Sequence, residues 1–301
     1  MNKLSNLRWR AVAFAMPVIA LLAAPGAASA ITINEDFKPQ NEFKLDPWVS
    51  IHVGGLDLSI NKAVFLLLLA GVATIVTLLL VARAMTARPG KMQTVIEAAY
   101  DLTANQITLG NMDKKMAKKW FPFIGTLFFF IWFSNMLGFL PLPTNTEHTV
   151  NVFGANLPTF ALYAATANIS VPLALALIVW ISYHYEGIKA KGAIGYVKGW
   201  IPAGIGGPIL ILVVPVEVLS QFVRLISLTA RLFANMLAGH MLILIMGGGM
   251  IVLLGSVFAA ITLPIGVAFY LFEVLLVGSL QAFIFTILSA IYIGGAVAEE
   301  H

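Results

Sequence analysis

The chain has 301 residues, of which 59% are hydrophobic and only 11% charged, whereas a soluble domain carries about 25% charged residues. A water-soluble core cannot hide that much apolar surface but lipid solvates it, so a soluble domain is excluded. The net charge of +4 does not point to nucleic acid, because the basic residues form short clusters between apolar runs, where membrane orientation accounts for them. The absence of cysteine excludes disulfides and thiolate metal sites.

Lys3, Arg8 and Arg10 precede an apolar stretch from Ala11 to Ala24, then Pro25-Gly26 and Ala28-Ser29-Ala30. A basic start, a short apolar middle and an A-x-A end predict a signal peptide over residues 1–30. Residues 31–60, with five carboxylates against Lys38 and Lys44, are then an extracytoplasmic segment. Residues 61–301 form one transmembrane helical domain. Its first predicted span, 63–82, matches the roughly 20 residues that cross the hydrocarbon core. Arg83, Arg88 and Lys91 follow it, with a break at Pro89-Gly90. Residues 92–119 are amphipathic and end in four lysines, which predicts a segment lying on the cytoplasmic face. A second span is predicted over 120–142 and a third over 158–183. The loop between these two lacks Lys and Arg, whereas Lys189, Lys191 and Lys198 follow the third. Basic loops inside and a neutral loop outside put the N-terminus outside and the C-terminus in the cytoplasm.

Two longer apolar segments, 208–254 and 256–298, complete about five crossings. Each would reach roughly 60 Å as a continuous helix, about twice the hydrocarbon thickness. Either they break, at Met246 to Met250 in the first and at Pro264 and Gly266 in the second, or they lie steeply tilted. The fold class is therefore an all-α membrane protein with a long, tilted C-terminal helical hairpin.

Charges inside apolar helices are costly and ask for a reason. Glu217, Arg224 and Arg231 recur every seven residues and share one helical face. Ser220 and Ser227 lie near that face, and Asn235 continues it one turn on. Glu217 and Arg224 are close enough to the cytoplasmic start to snorkel. Arg231, 23 residues past Pro208, is not. A membrane arginine of this kind serves either as a ligand of backbone carbonyls or as a functional charge. A hairpin turning near residue 256 sets His240 opposite Glu273 and Arg231 opposite Gln281. An imidazole and a carboxylate so placed pass protons, and a guanidinium, with its pKa above about 12, does not. Asn235 and Gln281 suit interhelical hydrogen bonds as well, and Ala230, Ala234 and Ala238 form a smooth ridge for a partner helix or for ordinary packing.

The run Ser227-Leu-Thr-Ala-Arg231-Leu-Phe-Ala-Asn235-Met-Leu-Ala-Gly239-His240 resembles the signature of subunit a of F-type ATP synthases, and so does Leu280-Gln281-Ala-Phe-Ile-Phe-Thr-Ile-Leu-Ser-Ala-Ile-Tyr292. Ser134-Asn135-Met-Leu-Gly-Phe-Leu-Pro141 and Thr166-Ala-Asn168-Ile-Ser-Val171 are similar to that family too, and the likeness covers residues 40–301. It implies a stator in a bacterial inner membrane, beside a rotating ring of subunit c, with subunit b of the peripheral stalk and the rest of the synthase as partners. It implies no cofactor, no nucleic acid and no bond chemistry in this chain. Two half-channels reach the ring from opposite sides, and Arg231 separates them. Asn235 and Gln281 match the polar neighbours of that arginine, His240 and Glu273 the histidine–acid pair of the outer half-channel, and Glu217 an acidic position of the cytoplasmic one. Arg224, Ser227 and Asn168 are further candidates. Glu273 stands eight residues before Gln281, where the family pattern has seven. Either a local bulge absorbs the extra residue or Glu273 points away from the path. Two rival readings differ in kind. A secondary transporter requires paired broken helices in related halves. An assembly scaffold requires that loss of Arg231 spare proton flow.

Overall fold

The computed structural model describes residues 43–84, 90–142, 149–152, 155–158, 162–201, 207–246 and 259–298. The predicted signal peptide and the first part of the extracytoplasmic segment lie outside these residues. A short hairpin, β1 (His52–Val53) with β2 (Leu56–Asp57), precedes the first long helix, its turn made by Gly54 and Gly55 at positive φ. The Ser59 hydroxyl and N–H both donate to Asp57 and hold its carboxyl below the usual range.

Helix α1 (Lys62–Ala84) starts where Asn61 Oδ1 accepts the Val64 N–H at 3.1 Å, a side-chain cap on an otherwise apolar run. Helix α2 (Lys91–Asp101) passes into a π-helical stretch, Leu102–Leu109, whose Thr103, Ile107 and Thr108 are buried. Helix α3 spans Lys114–Gly138, so the lysine cluster opens the second span instead of closing the surface segment. The reason is local: Asp113 caps the helix by accepting the Lys115 N–H at 3.1 Å. A second hairpin, β3 (Thr149–Val152) with β4 (Ala155–Pro158), falls in the loop without basic residues. Helix α4 covers Ser170–Lys191 instead of 158–183. Asn168 Oδ1 accepts the Ser170 N–H at 3.0 Å, and Pro172 sits in the first turn, where its missing N–H has no helical acceptor to serve. Gly192, at φ 73°, ends α4. The short α5 (Ala193–Lys198) lies beyond it.

Helix α6 runs unbroken over 35 residues, Leu210–Leu244, about 50 Å of helix against about 30 Å of hydrocarbon. Up to Leu244 the segment is continuous, and a helix of that length fits the hydrocarbon only when tilted. The glycine run from Gly247 lies outside the described residues. Helix α7 (Ala259–Phe272) continues through Pro264 and Gly266, where a break was one of the two options. The helical pattern changes instead at a π turn, Glu273–Val277, before α8 (Gly278–Val297). Five helical segments, Lys62–Leu80, Lys114–Gly138, Ser170–Lys191, Leu210–Leu244 and Leu263–Val297, are long and apolar enough to cross a membrane. The chain is an all-α membrane protein apart from the two small hairpins.

The core forms where α3, α4 and α8 meet, with Ile124, Phe128 and Ile131 against Val179, Ala282 and Phe285. Leu228, Leu232 and Met236 of α6 seal one side of it. Helix α6 packs mainly on α4 and on the 3-10 turn Ala165–Ala167, and only sparsely on α8. At the lysine-bearing end, Lys119 of α3 pairs with Glu186 of α4, which is only 4% exposed.

A buried polar junction joins three distant segments. Thr166 Oγ1 donates to Asn135 Oδ1 at 2.8 Å, and Asn135 Nδ2 donates to the Gly278 carbonyl at 3.0 Å. Asn135→Leu strips the buried Thr166 hydroxyl of its acceptor and takes a second bond from the Gly278 carbonyl, so the expected loss is about 1–3 kcal/mol. Thermal aggregation of the detergent-purified complex reads it. Thr166→Val, which removes one bond, is expected to lower the midpoint less than Asn135→Leu does. Equal or absent shifts would remove the junction from the account of stability.

Candidate functional site

Helix α6 has two faces. Leu228, Leu232, Met236 and His240 are buried, whereas Ser227, Ala230, Arg231, Ala234 and Ala238 are exposed, and Asn235 lies at the boundary. The small-residue ridge is thus not covered by any of the described residues. Arg231 forms no ion pair or hydrogen bond with any described residue. Gln281 is buried in α8 and forms no hydrogen bond to Arg231, although the sequence set the two opposite each other.

One helical turn beyond Met236, His240 is fully buried. Its Nδ1 lies 2.9 Å from the Met236 carbonyl, its Nε2 lies 3.0 Å from the Gly138 carbonyl, and its ring stacks on Phe139 at 4.6 Å. A neutral imidazole has one N–H, so only the protonated ring satisfies both carbonyls. Glu273, at the head of the π turn, is 7% exposed. Its carboxyl group rests on the bare backbone of Gly239, where an added Cβ would collide with it. Its Oε2 is buried without a hydrogen-bond partner among the described residues. The hairpin therefore brings Glu273 to the residue beside His240. The two side chains do not hydrogen-bond to each other.

Glu217 and Arg224 lie elsewhere, at the lysine-bearing end. They line a cavity of about 300 Å³ together with Tyr183, Tyr196, Gln221 and Tyr292. The Arg224 guanidinium sits 5.4 Å from the centre of the Tyr292 ring. The Tyr183 hydroxyl donates to Gln221 Oε1 at 3.1 Å. Burial raises the pKa of the Tyr196 hydroxyl, which therefore stays a proton donor at neutral pH. The heptad stripe of the sequence thus divides by depth: an acid and a base at a polar cavity, and an unpaired base deeper on an exposed face.

A profile of the family described as ATP synthase A chain matches residues 64–294. Three curated proteins called ATP synthase subunit a match most of the chain. That of Frankia alni is 36% identical over 86% of this chain and 85% of its own length. That of Parvibaculum lavamentivorans is 33% identical over 87% and 94%, and that of Hyphomonas neptunium 32% over 87% and 97%. The chain belongs to the ATP synthase subunit a family. It is accordingly a multi-pass membrane protein.

Several side chains of this family member had no assigned role in the sequence reading. Gln221 is buried, its backbone carbonyl accepting Trp180 Nε1 at 3.2 Å as well as its side chain accepting Tyr183. Its signal was readable, since an uncharged amide inside an apolar run, between Glu217 and Arg224, is as conspicuous as Gln281. Asn135 and Thr166 belong to the two shorter family-like motifs, and only the fold shows that one binds the other. Asn168, a further candidate of the sequence, accepts the Ser170 N–H at the start of α4 and hydrogen-bonds the Tyr163 hydroxyl.

Proposed function

We propose that this chain is the Fo stator subunit a of an F-type ATP synthase, carrying two proton half-channels to the ring of subunit c. The observation that carries the reading is Arg231. It is a permanently charged group on an exposed face deep in a 35-residue apolar helix, with no anionic partner among the described residues. Such a charge is costly in lipid, so its counter-charge comes from outside, and a ring carboxylate supplies one.

Proton flow follows from elementary electrostatics. A ring carboxylate is protonated while it faces lipid. Beside Arg231 its ionised form is favoured, and the proton leaves. The cavity at Glu217, Gln221 and Arg224 is the cytoplasmic route, and the buried pair of Glu273 beside His240 belongs to the opposite one. Asn235 and Gln281 keep the neighbourhood of Arg231 polar, and Ser227 lies on the ring-facing side. Arg231 holds no transferable proton, so the two routes connect only through ring rotation. The basic loops then face the cytoplasm and the N-terminus the opposite side. Subunit b and the rest of the synthase hold the stator in place.

The test uses the natural absence of cysteine. Ala234→Cys, on the exposed face, is expected to form an oxidatively induced disulfide adduct with a cysteine in the outer helix of subunit c, in membranes holding the whole complex. Leu232→Cys, buried at 1% exposure, is expected to form none. An adduct from Leu232→Cys and none from Ala234→Cys would reverse the proposed ring-facing side.

A further inference from the structure

The π turn between α7 and α8 carries an inference about how Glu273 is aimed. In a regular α-helix, with about 100° per residue, two residues eight apart diverge by about 80° around the axis. Glu273 and Gln281 are eight apart, yet both are buried, at 7% and 5% exposure. The π turn accounts for this. The Gly278 N–H donates to the Glu273 carbonyl, five residues back, which inserts one residue into the turn. The pair then takes nearly the phase of residues seven apart in a straight helix.

The turn is held on both sides. Before it, the Tyr270 hydroxyl donates to the Phe139 carbonyl at 2.8 Å. After it, Asn135 Nδ2 reaches the Gly278 carbonyl at 3.0 Å and Trp132 Nε1 the Ser279 hydroxyl at 3.1 Å. All these partners lie on α3 or at its end, so the π turn is clamped at fixed height. Its inner residue is Glu273, and Leu275 and Leu276 at its middle are 72% and 50% exposed.

We infer that the π turn Glu273–Val277 is a positioning device that absorbs one residue so that the Glu273 carboxyl lands on Gly239, on the same side as Gln281. The surplus residue is one of the exposed pair Leu275-Leu276. The inference rests on the proposed role of Glu273 in proton transfer and deepens it.

The test measures ATP-driven proton pumping and its pH profile in inverted vesicles with the whole complex, alongside immunoblots of assembly. Three variants are compared: deletion of Leu276, insertion of one alanine between Leu275 and Leu276, and Glu273→Gln in the otherwise unchanged chain. Deletion turns the π turn into a regular helix with the two side chains still in phase. It is expected to keep pumping within about threefold and to leave the pH profile unmoved, whereas insertion misplaces the carboxyl and costs roughly 100-fold. An assembled deletion variant that fails to pump, beside a dead Glu273→Gln, overturns the positioning role and leaves Glu273 in the path. Normal pumping by Glu273→Gln overturns the underlying role instead. If deletion of Leu276 blocks assembly, deletion of Leu275 replaces it, and failure of both to assemble also refutes a surplus residue.

Discussion

Arg231→Ala is expected to give an assembled complex that hydrolyses ATP without pumping protons. On the proposed reading the guanidinium does two things. It draws the ring carboxylate into its ionised form, and it bars direct passage between the two routes. Alanine does neither. Removal of a preorganised charge that stabilises a developing one costs about 100- to 1000-fold, so dye-quench pumping in inverted vesicles falls to background. With the catalytic sector stripped away, passive proton leak is expected to rise. Arg231→Lys separates the two duties. It restores a cation, but an ammonium loses its proton readily when buried, whereas a guanidinium does not. Lysine is therefore expected to block the leak in part without restoring pumping. Undiminished pumping in Arg231→Ala would make the arginine structural and leave the exposed charge on α6 without a purpose in proton transport.

Much of this arrangement was written in the chain. The five apolar segments were readable because lipid imposes one rule on every span, and roughly 20 apolar residues satisfy it whatever their order. Their ends were less readable, since caps decide them. Asp113 drew four lysines into α3, and Asn168 with Pro172 moved the start of α4 twelve residues past Pro158. Hydropathy sees neither, because both are single hydrogen-bonding events. The opposition of Glu273 to the neighbourhood of His240 was legible from the hairpin register. The spacing to Gln281 left a bulge or a misdirected side chain open, and the π turn takes the first course. The hydrogen bonds of His240 were not legible. Its partners are the Met236 and Gly138 carbonyls, and a backbone carbonyl 102 residues away leaves no trace in side-chain chemistry. The junction of Asn135 with Thr166 and Gly278 was hidden for the same reason. The cavity at Glu217 needed Tyr183, Tyr196 and Tyr292, each from a different helix, and no one-dimensional period relates them.

Gly239→Ala is expected to be the most damaging of the small substitutions in α6. A single methyl group at that position falls inside the Glu273 carboxyl. Relief comes from the Glu273 side chain, whose flexible end is what the methyl group meets. The Glu273 backbone is fixed by the π turn, and α6 is held beside it by His240 stacked on Phe139 at 4.6 Å. The carboxyl therefore swings off its position, and on the proposed role of Glu273 in proton transfer a shift of about 1 Å costs on the order of 100-fold in rate. Because only the end of a flexible side chain has to move, the complex is expected to assemble. Steric displacement has a signature that loss of a charge lacks: it is relieved by shortening the displaced chain. Glu273→Asp withdraws the carboxyl by one methylene. Alone it is expected to weaken pumping, but combined with Gly239→Ala it is expected to recover about tenfold or more over Gly239→Ala alone, as contacting residues couple strongly. Initial pumping rates of the two single variants and the double variant, each normalised to assembled complex, measure that coupling. Additive losses would separate Gly239 from the Glu273 carboxyl and remove the close approach from the proposed outer route.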